Sequence, residues 1–423
     1  MTIRIGRSKH TIIFIVLAFY LLFAPPLFGI HSMYFVAAFS WLYLLINYKS
    51  FFRYIDKEKL LKIYMVFIMM LIWVFLLVFF NDGTQSVLYH YIYWIIAIVP
   101  GALTLCVHAQ KKGQGLYYVL RILLWAAFIQ SLLSVAAFIN NDFKLTLINM
   151  LQADDTLIMT TYTYEIYYRL FGFSAGLTFD MPSAMSMFTC IAMYLGINRD
   201  IKYMLFIPTI ALSAIINART SVVVIVIGLF VVLFMSGKLK GKTIFRLIIG
   251  IVTAIAVFTI GRAILSEISP MTYNWLNSGI SQIFGFFQRN TNSGYFGYLT
   301  DGNRWILPTG LSLLFGTGSR IMGGSKYGVY SDVGYINDIW FGGFLYMLLL
   351  YIIVMKTIWM IGYKYSTLLN ADFLKFISIM YLLCLPILNV KTFIISMGSF
   401  STIIIICGIY AIAIRHSNTI IRE

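Results

Sequence analysis

The sequence predicts an all-α polytopic integral membrane protein with about twelve transmembrane helices and one large extracytoplasmic loop. Three observations predict it. The 423 residues are 61% hydrophobic and 11% charged, against about 25% charged residues in soluble domains. The apolar residues fall in runs of about 17–23, close to the ~20 that carry a helix across the hydrocarbon core. These runs lack the period-two alternation of a membrane barrel. The chain reads as one membrane domain over residues 1–423.

The elements follow in order. Arg4, Arg7 and Lys9 precede an apolar run over 11–30. It is too long for a signal peptide and carries Pro25-Pro26 with no small-residue cleavage site, so it reads as an uncleaved first span. Further spans are read at 32–47, 63–80, 87–107, 117–139, 181–197, 202–217, 219–236, 244–265, 339–361, 373–390 and 394–414. The second and seventh are short enough to run with little tilt or to be partly re-entrant. Two connections are long, 140–180 and 266–338, and the remainder are short. There is no internal repeat of the kind that marks transporters built from paired halves.

The net charge of +16 raises nucleic acid as a partner until the charges are placed. With both termini inside, the inner segments hold 22 Lys/Arg and 5 Asp/Glu, and the outer segments 9 and 10. The basic bias is therefore the positive-inside pattern. It sets both termini in the cytoplasm, puts the long loops outside and argues against nucleic-acid binding. Cys106, Cys190, Cys384 and Cys407 lie in or at the ends of apolar runs, without metal or redox spacing. Asp154-Asp155 is the only adjacent acid pair, with no histidine beside it. No metal or cofactor is predicted.

The 266–338 loop is where chemistry is expected. Tyr273, Leu276, Ile280, Ile283, Phe284 and Phe287 recur at helical spacing, which suits a helix lying in the membrane interface. A second helix is predicted from Asp301 to Phe315, kinked or split at Pro308. Gly316 to Gly328 reads as an open loop.

The candidate residues carry charge or aromatic surface. Arg169, Arg219, Arg304 and Arg320 are outer-face guanidiniums, suited to two-pronged phosphate binding; the alternative is snorkelling at a helix end. Arg219 sits in a tight reversal between two spans, where an ionisable residue is a functional candidate by default. Asp332 and Asp338 are acid–base or sugar-hydroxyl candidates, and Asp338 has the alternative of capping the next helix. Asp180, ahead of Pro182, divides equally between cap and site. Trp305, Tyr295, Tyr298, Tyr327, Tyr330 and Tyr335 offer aromatic surface for glycan, with the interfacial belt as the alternative for Tyr335. The five histidines, at 10, 31, 90, 108 and 416, avoid both long loops. An outer reaction using a histidine base is not expected, although His31 and His90 lie beside short outer loops.

Four features together resemble the O-antigen ligase and polymerase superfamily. They are the turn Asn217-Ala-Arg-Thr-Ser221; the stretch containing Arg169, Gly172, Phe179, Asp180 and Pro182; the Leu-Phe-Gly-Thr-Gly segment that follows Arg304-Trp305; and Asp332-Val-Gly334-Tyr335 at the next span. The likeness covers 169–343 and rests on the order and spacing of the features. It implies a GT-C-like membrane glycosyltransferase, acting without metal, in the bacterial inner (plasma) membrane with its large loop periplasmic. Ligases of this superfamily place a histidine late in the outer loop, and this chain has none there. The resemblance therefore points to the polymerase branch (Wzy-type). Such an enzyme joins undecaprenyl-pyrophosphate-linked oligosaccharide repeat units into O-antigen or a related surface polysaccharide. Under that reading Arg219 and Arg304 clamp the pyrophosphate, and Arg169 and Arg320 assist. Asp332, or second Asp180, orients or deprotonates the acceptor hydroxyl. Membrane lipid and a chain-length regulator protein are the further partners. An O-antigen ligase and a flippase for the lipid-linked unit are the alternatives.

Overall fold

The computed structural model describes residues 9–25, 30–151, 172–174, 180–218, 220–235, 302–322, 328–369, 371–392, 394–395 and 398–415, with scattered positions between 245 and 281. Among these the regular structure is helical, apart from one isolated bridge between Ile55 and Ile414. The helices are α1 (Lys9–Phe23), α2 (Met33–Ile46), α3 (Tyr48–Tyr54), α4 (Lys57–Phe80), α5 (Gln85–Lys111), α6 (Leu116–Ile139) and α7 (Asn141–Leu151). After them come α8 (Asp180–Asn198), α9 (Ile207–Asn217), α10 (Thr220–Met235), α11 (Leu311–Phe315), α12 (Gly334–Trp359), α13 (Asp372–Asn389) and α14 (Gly398–Ala413).

Among the described residues, five helical stretches are long and apolar enough to cross a membrane: 57–80, 85–111, 116–139, 334–368 and 372–389. The α2–α3 pair passes the same test jointly but bends by 86°. α1, α9, α10 and α14 are shorter apolar helices. The span read at 202–217 divides into a 3₁₀ turn over Ile201–Phe206 and α9, with Pro208 at the joint. A proline is tolerated there because its missing N–H is unpaired at a helix start anyway. The segments at 244–265 and 273–287 lie largely outside the described residues.

α8 is the axis of the bundle. Every residue from Met181 to Ile197 is buried, the signature of a helix enclosed on all sides. It packs on α6, α9, α10 and α14. Its hydroxyls return to its own backbone, Ser186 Oγ to Pro182 O at 2.7 Å and Thr189 Oγ1 to Met185 O at 3.0 Å. A hydroxyl in an apolar bundle needs such a partner. α4 is the opposite case, with Leu61, Met65, Ile68, Phe75, Phe79 and Phe80 exposed. A continuous apolar face of this size suits lipid rather than water.

The bundle has two distinct ends. At one, the starts of α3–α4 and the finish of α14 are tied by Asp56 N to Ala413 O at 2.8 Å and Arg415 N to Tyr54 O at 2.7 Å. Lys59 and Lys364 both reach the Tyr365 ring there. At the other, Thr84 N donates to Gly318 O at 3.0 Å, and α8 meets the start of α14. These are called the basic end and the loop end.

The loop end is locked by a break in α12. Gly343 has φ +74°, a left-handed conformation that favours glycine. The break strands the carbonyls of Trp340 and Phe341, which need donors when buried. The Leu313-Leu-Phe-Gly-Thr-Gly318 segment supplies them: Thr317 N to Trp340 O at 2.7 Å and Gly318 N to Phe341 O at 2.9 Å. Thr317 Oγ1 adds a second bond to Trp340 O at 2.8 Å. Gly316 (φ +78°) lies against Phe341 O, in the space a Cβ would need.

This corrects two expectations. Residues 316–319 are buried and bonded to a broken helix, so this part of the glycine-rich run is not an open loop. The helix expected over 301–315 is two pieces, a 3₁₀ turn at Gly302–Arg304 and the short α11, with Pro308 between them.

Candidate functional site

The loop end gathers polar groups from α5, α8, α12, α13, α14 and the segment before α12. Ser331 is the pivot of the first cluster. Its hydroxyl donates to Arg304 O at 2.7 Å and accepts from Val333 N at 3.2 Å. Two residues beyond Arg304, Ile306 O accepts from Trp340 Nε1 at 2.8 Å. The Arg304–Ile306 backbone is thus pinned at both ends, although 27 residues separate Arg304 from Ser331. The Arg304 guanidinium lies 4.9 Å from the centre of the Tyr330 ring, a cation–π distance that restrains its fork. Trp305 and Tyr330 stay 41% exposed, so aromatic surface flanks the arginine on the solvent side.

Asp332, next to Ser331, is buried and pairs through Oδ2 with Lys391 Nζ. Its Oδ1 accepts no hydrogen bond from the described residues. Lys391 follows the end of α13, and Gly334 lies directly against the Asn389 and Thr392 carbonyls, so no side chain fits between the two helix ends. Asn337 fixes the whole turn. Its Oδ1 accepts from Ile321 N at 3.1 Å and Met322 N at 2.9 Å, while Nδ2 donates to Ser331 O at 2.8 Å and Val333 O at 2.9 Å. An amide with both ends saturated is a rigid spacer.

A second cluster lies deeper. Arg320 Nη2 is 3.7 Å from Asp338 Oδ1, with side chains 8% and 0% exposed. Burial pulls the Arg320 guanidinium below its ordinary range, and Asp338, Tyr346 and Tyr91 oppose that pull. Tyr91 and Tyr346 hydroxyls meet at 3.0 Å beside this pair. His90, one residue earlier on α5, has Arg320 and His31 as electrostatic neighbours and accepts from Gly398 N at 3.3 Å. Asp180 completes the ring of contacts. Its Oδ2 accepts from Ser399 N at 2.7 Å and Ser399 Oγ at 2.9 Å, and its Oδ1 from Phe400 N at 3.2 Å.

The structure therefore brings Arg304, Asp332, Trp305 and Tyr330 together, and seats Arg320 in a buried pair with Asp338. Asp338 does not cap α12; Val333 holds the N-cap position and Asp338 lies inside the helix. Asp180 caps a helix, but it is α14 rather than its own. Tyr335 is half-buried between helices, donating to Pro386 O at 3.0 Å and stacking on Tyr351 with ring centres 5.5 Å apart. Arg169, Arg219, Tyr295, Tyr298 and Tyr327 lie outside the described residues.

Several members were not singled out in the sequence. Lys391 was one of nine cations expected outside from the charge pattern, with no neighbouring acid in the chain. Ser331 and Asn337 stood in the stretch leading into α12 but carry no charge. His90 lies beside a short connection, and only folding sets it against α14. A comparison with family models, with curated proteins and with solved structures finds no match to this chain.

Proposed function

We propose that the chain is a membrane glycosyltransferase that polymerises lipid-linked oligosaccharide repeat units at the loop end of its bundle, the side facing away from the cytoplasm. The observation that carries the reading is the Ser331 pivot. It holds a half-buried arginine next to a buried aspartate whose Oδ1 has no hydrogen-bond partner among the described residues, with exposed Trp305 and Tyr330 at the rim.

In this reaction the growing glycan leaves undecaprenyl pyrophosphate and joins a hydroxyl of the incoming lipid-linked unit. The C–O bond to pyrophosphate breaks, a new glycosidic C–O bond forms, and the acceptor hydroxyl gives up its proton. The pyrophosphate needs charge stabilisation, which Arg304 supplies, with Arg219 as its partner. The Asp332 carboxylate takes or orients the acceptor proton, and the Lys391 ion pair holds it in place. Trp305 and Tyr330 stack on sugar rings.

The test is a gel of surface polysaccharide from cells carrying the deletion, complemented with wild type, Arg304→Ala or Asp332→Asn at equal protein levels. The expected result is a core bearing a single repeat in the deletion and in both variants. A core with no repeat in the deletion gives the function to a flippase or ligase. Full-length polymer from both variants removes the assignment of these two residues.

A further inference from the structure

A cavity of about 610 Å³ runs between α4, α12 with its π-helical continuation Met360–Tyr365, and α14. Its walls are almost wholly aliphatic and aromatic, and four lysines line it: Lys59, Lys62, Lys356 and Lys364. Among the described residues no carboxylate lines it. The lysines belong to the start of α4 and the far part of α12, so they mark the basic end, while Tyr91 and Trp94 close the opposite limit. We propose that this cavity binds a membrane phospholipid with an anionic headgroup, its phosphate on the lysines and an acyl chain in the apolar channel.

Three observations carry the proposal. The first is shape. The lining residues on α14 extend from Ser401 to Ile412, about 17 Å at the rise of an α-helix. One leaflet of hydrocarbon is about 15 Å, half the ~30 Å core, so the channel has the reach of one acyl chain. The second is position. α4 and the α12 stretch are the least enclosed of the five long helices, 17% and 22% buried against 50–78% for the others. The cavity thus lies at the edge of the bundle, where lipid has access. The third is charge. Lys59 is paired with Asp56 at 3.2 Å, and Lys62, Lys356 and Lys364 add three further cations to the rim. Basic pockets between membrane helices on the cytoplasmic side are suited to multiply charged lipid headgroups. Beyond the rim the only polar-bearing lining residues among those described are Tyr91, Trp94, Thr357 and Ser401, too few to coordinate a compact polar solute. The inference stands apart from the enzymatic reading, because it uses the other end of the bundle.

The experiment uses the purified full-length chain in detergent. Native mass spectrometry reads the binding of tetraoleoyl cardiolipin, dioleoyl phosphatidylcholine and undecaprenyl phosphate. Wild type is expected to prefer cardiolipin over phosphatidylcholine by about tenfold or more. Each of Lys62→Gln, Lys356→Gln and Lys364→Gln is expected to reduce that preference about fivefold, with unchanged elution and melting. Ile353→Trp, which fills the channel from α12, is expected to lower cardiolipin binding with the lysines intact. Equal binding of cardiolipin and phosphatidylcholine, or insensitivity to the lysine variants, overturns the headgroup assignment. Insensitivity to Ile353→Trp removes the chain from the cavity. Undecaprenyl phosphate that competes there independently of the lysines gives the channel to a prenyl tail and overturns the proposal.

Discussion

Asp180 caps a helix 219 residues away in sequence: its carboxylate accepts the Ser399 N–H at 2.7 Å at the start of α14. It also takes the Ser399 hydroxyl and Phe400 N. One acidic side chain thus joins the enclosed axis helix α8 to α14. Gly398, at φ +95°, lies directly against that carboxylate, leaving no room for a Cβ.

Asp180→Ala leaves two buried backbone donors of α14 without a partner. A lost cap costs about 1–2 kcal/mol, and orphaned buried donors add a similar amount. The variant is expected to lower the melting temperature in detergent clearly, and Asp180→Asn less so, because an amide oxygen still accepts. Gly398→Ala is expected to match Asp180→Ala. A Gly398→Ala protein as stable as wild type speaks against this contact.

The Asp332–Lys391 pair separates structural from chemical roles. Removing one partner of a buried ion pair costs about 3–5 kcal/mol, because the other charge stays behind. Asp332→Ala and Lys391→Ala should each destabilise more than the double variant does, as read in a thermal double-mutant cycle. Polymer length gives the second readout. If Asp332 handles the acceptor hydroxyl, the double variant regains stability and still makes no polymer.

Arg304 is held by its backbone at Ser331 and by its guanidinium over Tyr330. Arg304→Lys retains the charge and loses the planar fork, so polymer yield from complemented cells should fall with little change in protein level. Tyr330→Leu should reduce yield more mildly, roughly in line with a cation–π contribution of about 0.5–1 kcal/mol at an exposed site. Yield at the wild-type level from Arg304→Lys argues against two-pronged pyrophosphate binding.

The break at Gly343 depends on the loop that fills it. Gly316→Ala places a methyl against Phe341 O and asks a left-handed conformation of a residue that resists it. Loss of the two backbone loop-to-helix hydrogen bonds, from Thr317 N and Gly318 N, follows. The expected outcome is a destabilised loop end, detected as faster amide hydrogen exchange at Thr317 and Gly318, with the basic end unchanged. Uniform exchange along the chain is the contrary result.

The helical class of the fold was legible in the chain, and the reason is physical. Apolar runs long enough to cross a bilayer are written locally, and α4, α5 and α6 coincide with runs read from hydropathy alone to within a few residues. The turn at Asn217-Ala218 and the start of α8 near Pro182 were likewise local signals. So were the charges between the apolar runs that raised Arg304 and Asp332 as candidates.

Pairing was beyond the sequence, because it depends on which helix ends meet. Lys391 reaches Asp332 across 59 residues, His90 reaches Gly398 across 308, and Asp180 caps α14 instead of its own helix. The Leu-Phe-Gly-Thr-Gly segment looked like an open glycine-rich loop, and only the broken α12 reveals that its N–H groups are spent on stranded carbonyls. Local hydropathy specifies which segments are apolar helices and which polar residues are available. Helix packing sets which charges are neutralised in the interior and which face solvent, since burying an ion requires a partner that local sequence does not specify.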